Sequence, residues 1–246
     1  MIVIPAVDII GGKTVRLEKG DYDRKMSYDL TPVEAALEWQ EQGAEYLHVI
    51  DLDGAREGRP VNLDIAGNIA REVNIPVEIG GGFRSAADID KALSCGFDRV
   101  IVGSKVFEDM GFAEKIIREY GERIIISVDV DKGVVKTHGW KDKSGRSPDE
   151  FLKVFYSYGA ERIIYTDISR DGTLSGPDTV SIKEMLDKYP FKMIYAGGIR
   201  DIQNILDLKA LSDAGLEGVI TGRALYQGTI DLREAIDACK THNPLS

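Results

Sequence analysis

The sequence predicts an α/β fold, a (β/α)8 TIM barrel assembled from two duplicated half-barrels. Three observations carry that expectation. Short apolar runs rich in β-branched residues occur eight times, and segments of helical periodicity lie between them. The runs are apolar throughout rather than alternating, as in parallel strands covered on both faces. Motifs from the first half of the chain return in the second half in the same order.

The strands are expected at IVIPAVD from Ile2, YLHVID from Tyr46, PVEIG from Pro76 and RVIVG from Arg99. RIIISVD from Arg123, RIIYTD from Arg162, KMIYAGG from Lys192 and GVITG from Gly218 complete the set. TPVEAALEWQEQG reads as a helix with Thr31 as N-cap, Pro32 at the first helical position, Glu34 at the third and a stop at Gly43. SAADIDKALSCG reads the same way from Ser85 to Gly96, with Asp88 in the matching place. GGFRSAADI from Gly81 resembles GGIRDIQNI from Gly197, and VIVGS from Val100 resembles VITGR from Val219. GAEYLHVIDLDG also matches GAERIIYTDISRDG, which sets Asp51 against Asp167, 116 residues apart. Solenoid repeats have periods of roughly 20–50 residues; a period near half the chain indicates a duplicated half-barrel instead.

Eight strand–helix pairs fill all 246 residues without a breaking linker, so a single domain over 1–246 is expected. Hydrophobic residues at 43% supply a large core, and charged residues at 29% suit a solvated surface. A formal net charge of −10 argues against a nucleic-acid partner, which demands a dense basic footprint. It does not exclude an anionic small molecule, because the local field matters more than the total. Cys95 and Cys239 lie far apart without metal spacing and read as small helical residues of a protein from a reducing compartment. The start lacks the features of a signal peptide and no apolar run is long enough to span a bilayer. A cytoplasmic enzyme or binding protein is expected, with no membrane partner.

In such a barrel the strand C-termini and following loops form the functional face. Glycines there let backbone N–H groups approach an anion, with a helix N-terminus behind them. Gly81 and Gly82 with Gly103 and Ser104 supply this in the first half, and Gly197 and Gly198 with Gly222 and Arg223 in the second. Tight βα turns alone also explain one such pair, but matched sets in both halves point to a substrate with a phosphate at each end. Arg84, Arg200 and Arg223 either add charge-assisted contacts or stand as solvated helix-start residues.

Asp8 and Asp129 are expected at the ends of the first and fifth strands, opposite each other across the barrel mouth. Facing carboxylates suit proton transfer, one giving and one taking; each alone also reads as a loop-capping aspartate. His48, His138 and His242 have no metal-ligand spacing, so no metal is expected. There is no nucleophile elbow or Walker loop, and GGGF fails the dinucleotide fingerprint. Acid–base chemistry without a cofactor remains. Thr166 and Asp171 lie at the end of the sixth strand and in its loop, where a strand threonine and an Asp-Gly turn are ordinary features. His48 reads as a core histidine with a satisfied partner. The polar stretches from Glu18 to Asp29 and from Lys141 to Ser147 are the longest connections and sit where lids would be useful.

Over essentially its whole length the chain resembles a known family. IPAVDIIGGKTVRLEKGD, HVIDLDGA, EIGGGFRS, VIVGSKVFED, SVDV with VVKTHGW, YTDISRDGTLSGPD, AGGI and GVITGRALYQG are similar to the isomerases of histidine biosynthesis that act on phosphoribosylformimino-aminoimidazole-carboxamide ribotide. The resemblance implies an Amadori rearrangement of an aminoaldose to an aminoketose, on a small bisphosphorylated substrate, and a monomer is expected. By it Asp8 is the proton acceptor and Asp129 the proton donor, assisted by Thr166 and Asp171. Gly81, Gly82, Gly103, Ser104, Gly172, Gly197, Gly198, Gly222 and Arg223 match phosphate-binding positions. The sister cyclase typically opens CLDV, carries a lysine soon after its first strand and receives ammonia from a glutaminase; PAVDIIGG and KTHGW resemble the isomerase instead. The form that also serves tryptophan biosynthesis tends to carry arginine where His138 precedes Gly139 and Trp140. A non-catalytic bisphosphate-binding protein would keep the glycines and tolerate loss of the aspartates.

Overall fold

The computed structural model describes residues 1–18, 21–137, 142–143 and 147–240. His138, Gly139, Trp140 and His242 lie outside the described residues, as does most of the stretch from Lys141 to Ser147. Eight parallel strands form a closed ring: β1 (Ile2–Ile10), β2 (Leu47–Asp51), β3 (Val77–Gly80), β4 (Arg99–Val102), β5 (Ile124–Asp131), β6 (Arg162–Asp167), β7 (Lys192–Ala196) and β8 (Leu216–Thr221). Each pairs with the next, and β8 pairs with β1 to complete the barrel. Closure removes every free edge of the ring.

The period of two along each strand separates two cores. Val3, Val7 and Ile9 of β1 face outward into the large core between sheet and helices. Ile4 and Ala6 face inward, where they meet Ile101, Ile125, Ile164, Ile194 and Ile220 in a smaller core that plugs the barrel. Continuing that inward parity along β1 leads to Asp8, and along β5 it leads from Ile125 through Ser127 to Asp129.

Between the strands, the helices begin where local chemistry satisfies their free N–H groups. Thr31 and Glu34 form a reciprocal capping box at the start of the helix Pro32–Glu41. Ser85 accepts from the Asp88 N–H at the start of the helix Ala86–Ser94. Among the described residues no helix is long and apolar enough to cross a membrane, and Cys95 and Cys239 are not disulfide-bonded.

The sequence differs from the structure in the connection after β1. The stretch from Glu18 to Asp29, expected as a polar connection, contains the strand Asp21–Ser27, which pairs antiparallel with the strand Lys13–Glu18. Only Tyr22 and Met26 of that strand are even partly covered, so its sequence reads as polar. Its partner strand, rather than a hydrophobic face, holds it. A smaller excursion follows β5, where Val134–Thr137 pairs antiparallel with that strand and Asp142–Lys143 pairs with Val134–Thr137.

Candidate active site

Inward parity places Asp8 at the end of β1 and Asp129 at the end of β5, half a ring apart. Both line one cavity of about 250 Å³ at the C-terminal mouth, together with Thr166, Asp171, Gly81, Gly82, Gly103 and Ser104. Gly172, Gly197, Gly198, Gly222 and Arg223 line a smaller adjoining cleft of about 20 Å³, which shares Arg16 and Asp171 with the first. The thirteen residues that the resemblance assigns to catalysis and phosphate binding thus line two connected spaces of unequal size at one end of the barrel.

The inequality comes from Arg16, which sequence reasoning missed. It rises from the strand Lys13–Glu18, its Nη1 donating to Asp8 Oδ2 at 2.7 Å and its Nη2 to Asp171 Oδ1 at 3.4 Å. Its guanidinium fills the floor of the second-half cleft so closely that a Cβ on Gly222 would stand 2.8 Å from Arg16 Cζ. Burial opposes the charge on Arg16, but Asp8 and Asp171 outweigh it and hold its pKa above the ordinary value. Burial is also the main influence on Asp171 and, with the negative charges of Asp8 and Asp129, pushes its carboxyl upward against the pull of Arg16. The available signal was a lone arginine in the apolar alternation TVRL, directly after a strand ending in a carboxylate.

Asp129 is held from its own strand: Ser127 Oγ donates to Asp129 Oδ1 at 3.0 Å. Thr166 on β6 stands in register with Asp129, which sets its hydroxyl-bearing side chain beside the carboxylate on the same inward face. Ser127 was missed too, although its i−2 relation to Asp129 on a strand marks a shared face. Tyr22, from the antiparallel excursion, closes the cavity on the first-half side and donates to the Leu52 carbonyl at 2.7 Å. Burial pushes its phenol upward.

The turns repeat between the halves. Gly81 and Gly197 have φ of 118° and 114°, and Gly82 and Gly198 have 78° and 75°. A Cβ on Gly81 would lie 2.2 Å from the Asp51 carbonyl oxygen, and one on Gly197 2.6 Å from that of Asp167. Glycine is therefore required at both positions by the backbone of the preceding strand end, with or without a ligand. Gly103 differs, since its Cβ would meet only Ser127 Cβ at 3.9 Å. Space, rather than packing, surrounds that backbone. Of the three arginines, Arg84 pairs with Glu108 at the cavity wall. Arg223 donates to the Gly172 carbonyl in the smaller cleft. Arg200 pairs with Asp201 at 2.7 Å, is mostly exposed and lines neither space, so it is a helix-start residue facing solvent.

Comparison with known proteins shows the family. Residues 2–231 match the family described as histidine biosynthesis protein. The chain belongs to the histidine biosynthesis protein family. Its relatives include proteins named 1-(5-phosphoribosyl)-5-((5-phosphoribosylamino)methylideneamino)imidazole-4-carboxamide isomerase. That of Ruminiclostridium cellulolyticum is 43% identical over 96% of this chain and 99% of its own. That of Rippkaea orientalis is 42% identical over 97% of this chain and 93% of its own. That of Thermoanaerobacter pseudethanolicus is 41% identical over 98% of this chain and the whole of its own. For a member of the histidine biosynthesis family, a mouth with opposed carboxylates and repeated glycine turns offers proton transfer to a substrate spanning it. Among the described residues no group of three or more His, Cys, Asp or Glu is placed to hold a metal ion.

Proposed function

We propose that this chain is the histidine-biosynthesis isomerase that converts the phosphoribosylformimino-aminoimidazole-carboxamide ribotide aminoaldose into its aminoketose. The observation carrying this reading is the placement of Asp8 and Asp129 on opposed strands of one cavity, between glycine turns repeated in both halves. In the reaction, Asp129 gives a proton to the ribose ring oxygen and the ring opens to a protonated Schiff base. Asp8 then takes the C2 proton, leaving an enolamine that collapses to the ketose. Arg16 Nη1, donating to Asp8 Oδ2 at 2.7 Å, fixes the orientation of the acceptor carboxylate at the mouth. Ser127 and Thr166 orient Asp129, while Asp171 holds the other end of Arg16. Each proton-transfer group is worth roughly 10²–10⁴-fold in rate.

One substrate phosphate binds Gly81, Gly82, Gly103 and Ser104, and the other binds Gly172, Gly197, Gly198, Gly222 and Arg223. The enzyme acts as a cytoplasmic monomer, one domain over residues 1–246, on this small bisphosphorylated molecule and without nucleic acid or cofactor. The test is conversion of the purified aminoaldose by the purified chain, followed by absorbance and chromatography of the product. Formation of the aminoketose supports the reading. No conversion, with ammonia-dependent imidazole-glycerol phosphate formation from the aminoketose instead, would replace it with the cyclase.

A further inference from the structure

Beside the mouth lie two buried carboxylates that the reaction above leaves unused. Asp51, at the end of β2, accepts from the backbone N–H groups of Gly54, Val61 and Asn62 at 2.9, 2.6 and 2.7 Å, and so closes its own loop. Asp53 is also buried but reaches out of that loop. Its Oδ2 accepts from the Gly11 N–H at 2.6 Å and from Asn62 Nδ2 at 2.9 Å, and its Oδ1 accepts from Arg56 Nη2 at 3.2 Å. Burying a carboxylate carries a desolvation cost that its bonds must offset, and the second half ends its equivalent strand without a second one. There Asp167 ends β6, and the place of Asp53 is taken by Ser169, an exposed residue that donates to Asp167 Oδ1 at 2.6 Å. The duplicated design therefore does not require Asp53.

What Asp53 holds is the root of the hairpin after β1. Gly11 and Gly12, with φ of 56° and 74°, form the two-residue turn between β1 and the strand Lys13–Glu18. That turn sets the register, which puts Val15 opposite Asp8 and Arg16 one residue further on. The returning strand Asp21–Ser27 is mostly exposed, so packing does not fix the hairpin. The same carboxylate reaches that strand through Arg56, whose guanidinium carbon lies 5.4 Å from the centre of the Tyr22 ring at the cavity wall. The hairpin after β5 turns in the same way at Lys132 and Gly133, with φ of 50° and 76°, and there both residues are exposed.

We infer that Asp53 is a positioning residue: by holding the Gly11 N–H it sets the hairpin so that Arg16 meets Asp8 and Asp171 across the mouth. Asp53 lines neither cavity, so it acts through Arg16 and not on the substrate. The inference rests on the isomerase reading, in which Arg16 orients the acceptor carboxylate. A hairpin root displaced by about 1 Å carries the guanidinium off Asp8, and a misplacement of that size far from the reacting atoms costs up to about 10²-fold in rate.

The test compares Asp53→Ser, which installs the second-half residue, with Asp53→Asn, which keeps an oxygen for Gly11. Both are made in the wild-type and Arg16→Gln backgrounds, and kcat is measured with hydrogen exchange of the Gly11 amide. Asp53→Ser should lower kcat about 10–100-fold and speed exchange at Gly11, whereas Asp53→Asn should keep both close to wild type. In the Arg16→Gln background Asp53→Ser should cost little more, because the two residues act as one unit. Unchanged kcat or unchanged Gly11 exchange in Asp53→Ser, no rescue in Asp53→Asn, or losses that multiply in the double variant would overturn the inference. If Asp53→Ser fails to fold by circular dichroism, Asp53→Glu decides, since it keeps the charge and moves the acceptor by one methylene. Unchanged kcat there overturns the inference, and a loss that Arg16→Gln masks upholds it. Wild-type protein without turnover overturns the isomerase reading as well, whereas wild-type turnover with insensitive variants overturns this inference alone.

Discussion

Asp8, Arg16 and Asp171 form a chain of charge that ties the first half of the barrel to the loop after β6. Asp8 and Asp129 were legible because each is a carboxylate at the polar end of an apolar run, a local signal. Arg16 was not, because its partners lie 8 and 155 residues away and only the folded chain brings them together. Asp171 gives a prediction with a definite sign. Its folded pKa is raised, mainly by burial. The folded state therefore keeps a proton where the unfolded chain, with a carboxyl near pKa ~3.9, has released it. Stability falls as pH rises through the interval from that value to the raised one, and the loss persists above it. Replacing Asp171 with Asn removes this penalty. The Tm of Asp171→Asn relative to wild type should be more favourable at pH 7 than at pH 3.5, measured by thermal melts. A difference that does not change with pH would show that folding does not raise the Asp171 pKa.

At the scale of elements, each part of the structure was legible to the degree that its cause is local. The helix Pro32–Glu41 starts with the capping box that Thr31 and Glu34 spell out, because that motif needs four neighbouring residues and nothing else. The strand Asp21–Ser27 was hidden, because its stability comes from pairing with Lys13–Glu18 and few of its side chains are covered. The glycine turns were legible as positions but ambiguous in meaning, and geometry separates two kinds. Gly81→Ala places a Cβ 2.2 Å from the Asp51 carbonyl oxygen at positive φ. It should cost about 1–3 kcal/mol of folding stability, read from urea unfolding. Gly103→Ala, whose Cβ meets only Ser127 Cβ at 3.9 Å, should cost distinctly less stability. Its effect should appear as a raised KM, because the added methyl group would stand at the proposed phosphate site beside the backbone. Equal stability losses, or an unchanged KM for Gly103→Ala, would contradict a phosphate-approach role for that glycine.

Across the whole molecule, duplication explains why the mouth is paired and why the pairing is incomplete. Equivalent glycines adopt the same φ in both halves, and equivalent aspartates, Asp51 and Asp167, end β2 and β6. The repeat was visible in the sequence because backbone-driven glycines and turn residues tolerate little change. What broke the symmetry was less visible. Arg16 has entered from one half and occupies the floor of the other half's cleft, so two sites of common design differ in size. The proposed acceptor and donor, Asp8 and Asp129, stand on β1 and β5, half a ring apart, so neither half alone contains both. The central claim is that these two residues perform the proton transfers, and kcat with substrate affinity for Asp8→Asn and Asp129→Asn tests it most directly. Each variant should lose roughly 10²–10⁴-fold in kcat while binding the aminoaldose with nearly wild-type affinity. Near-wild-type turnover in either variant would contradict the assignment of Asp8 and Asp129 as acceptor and donor.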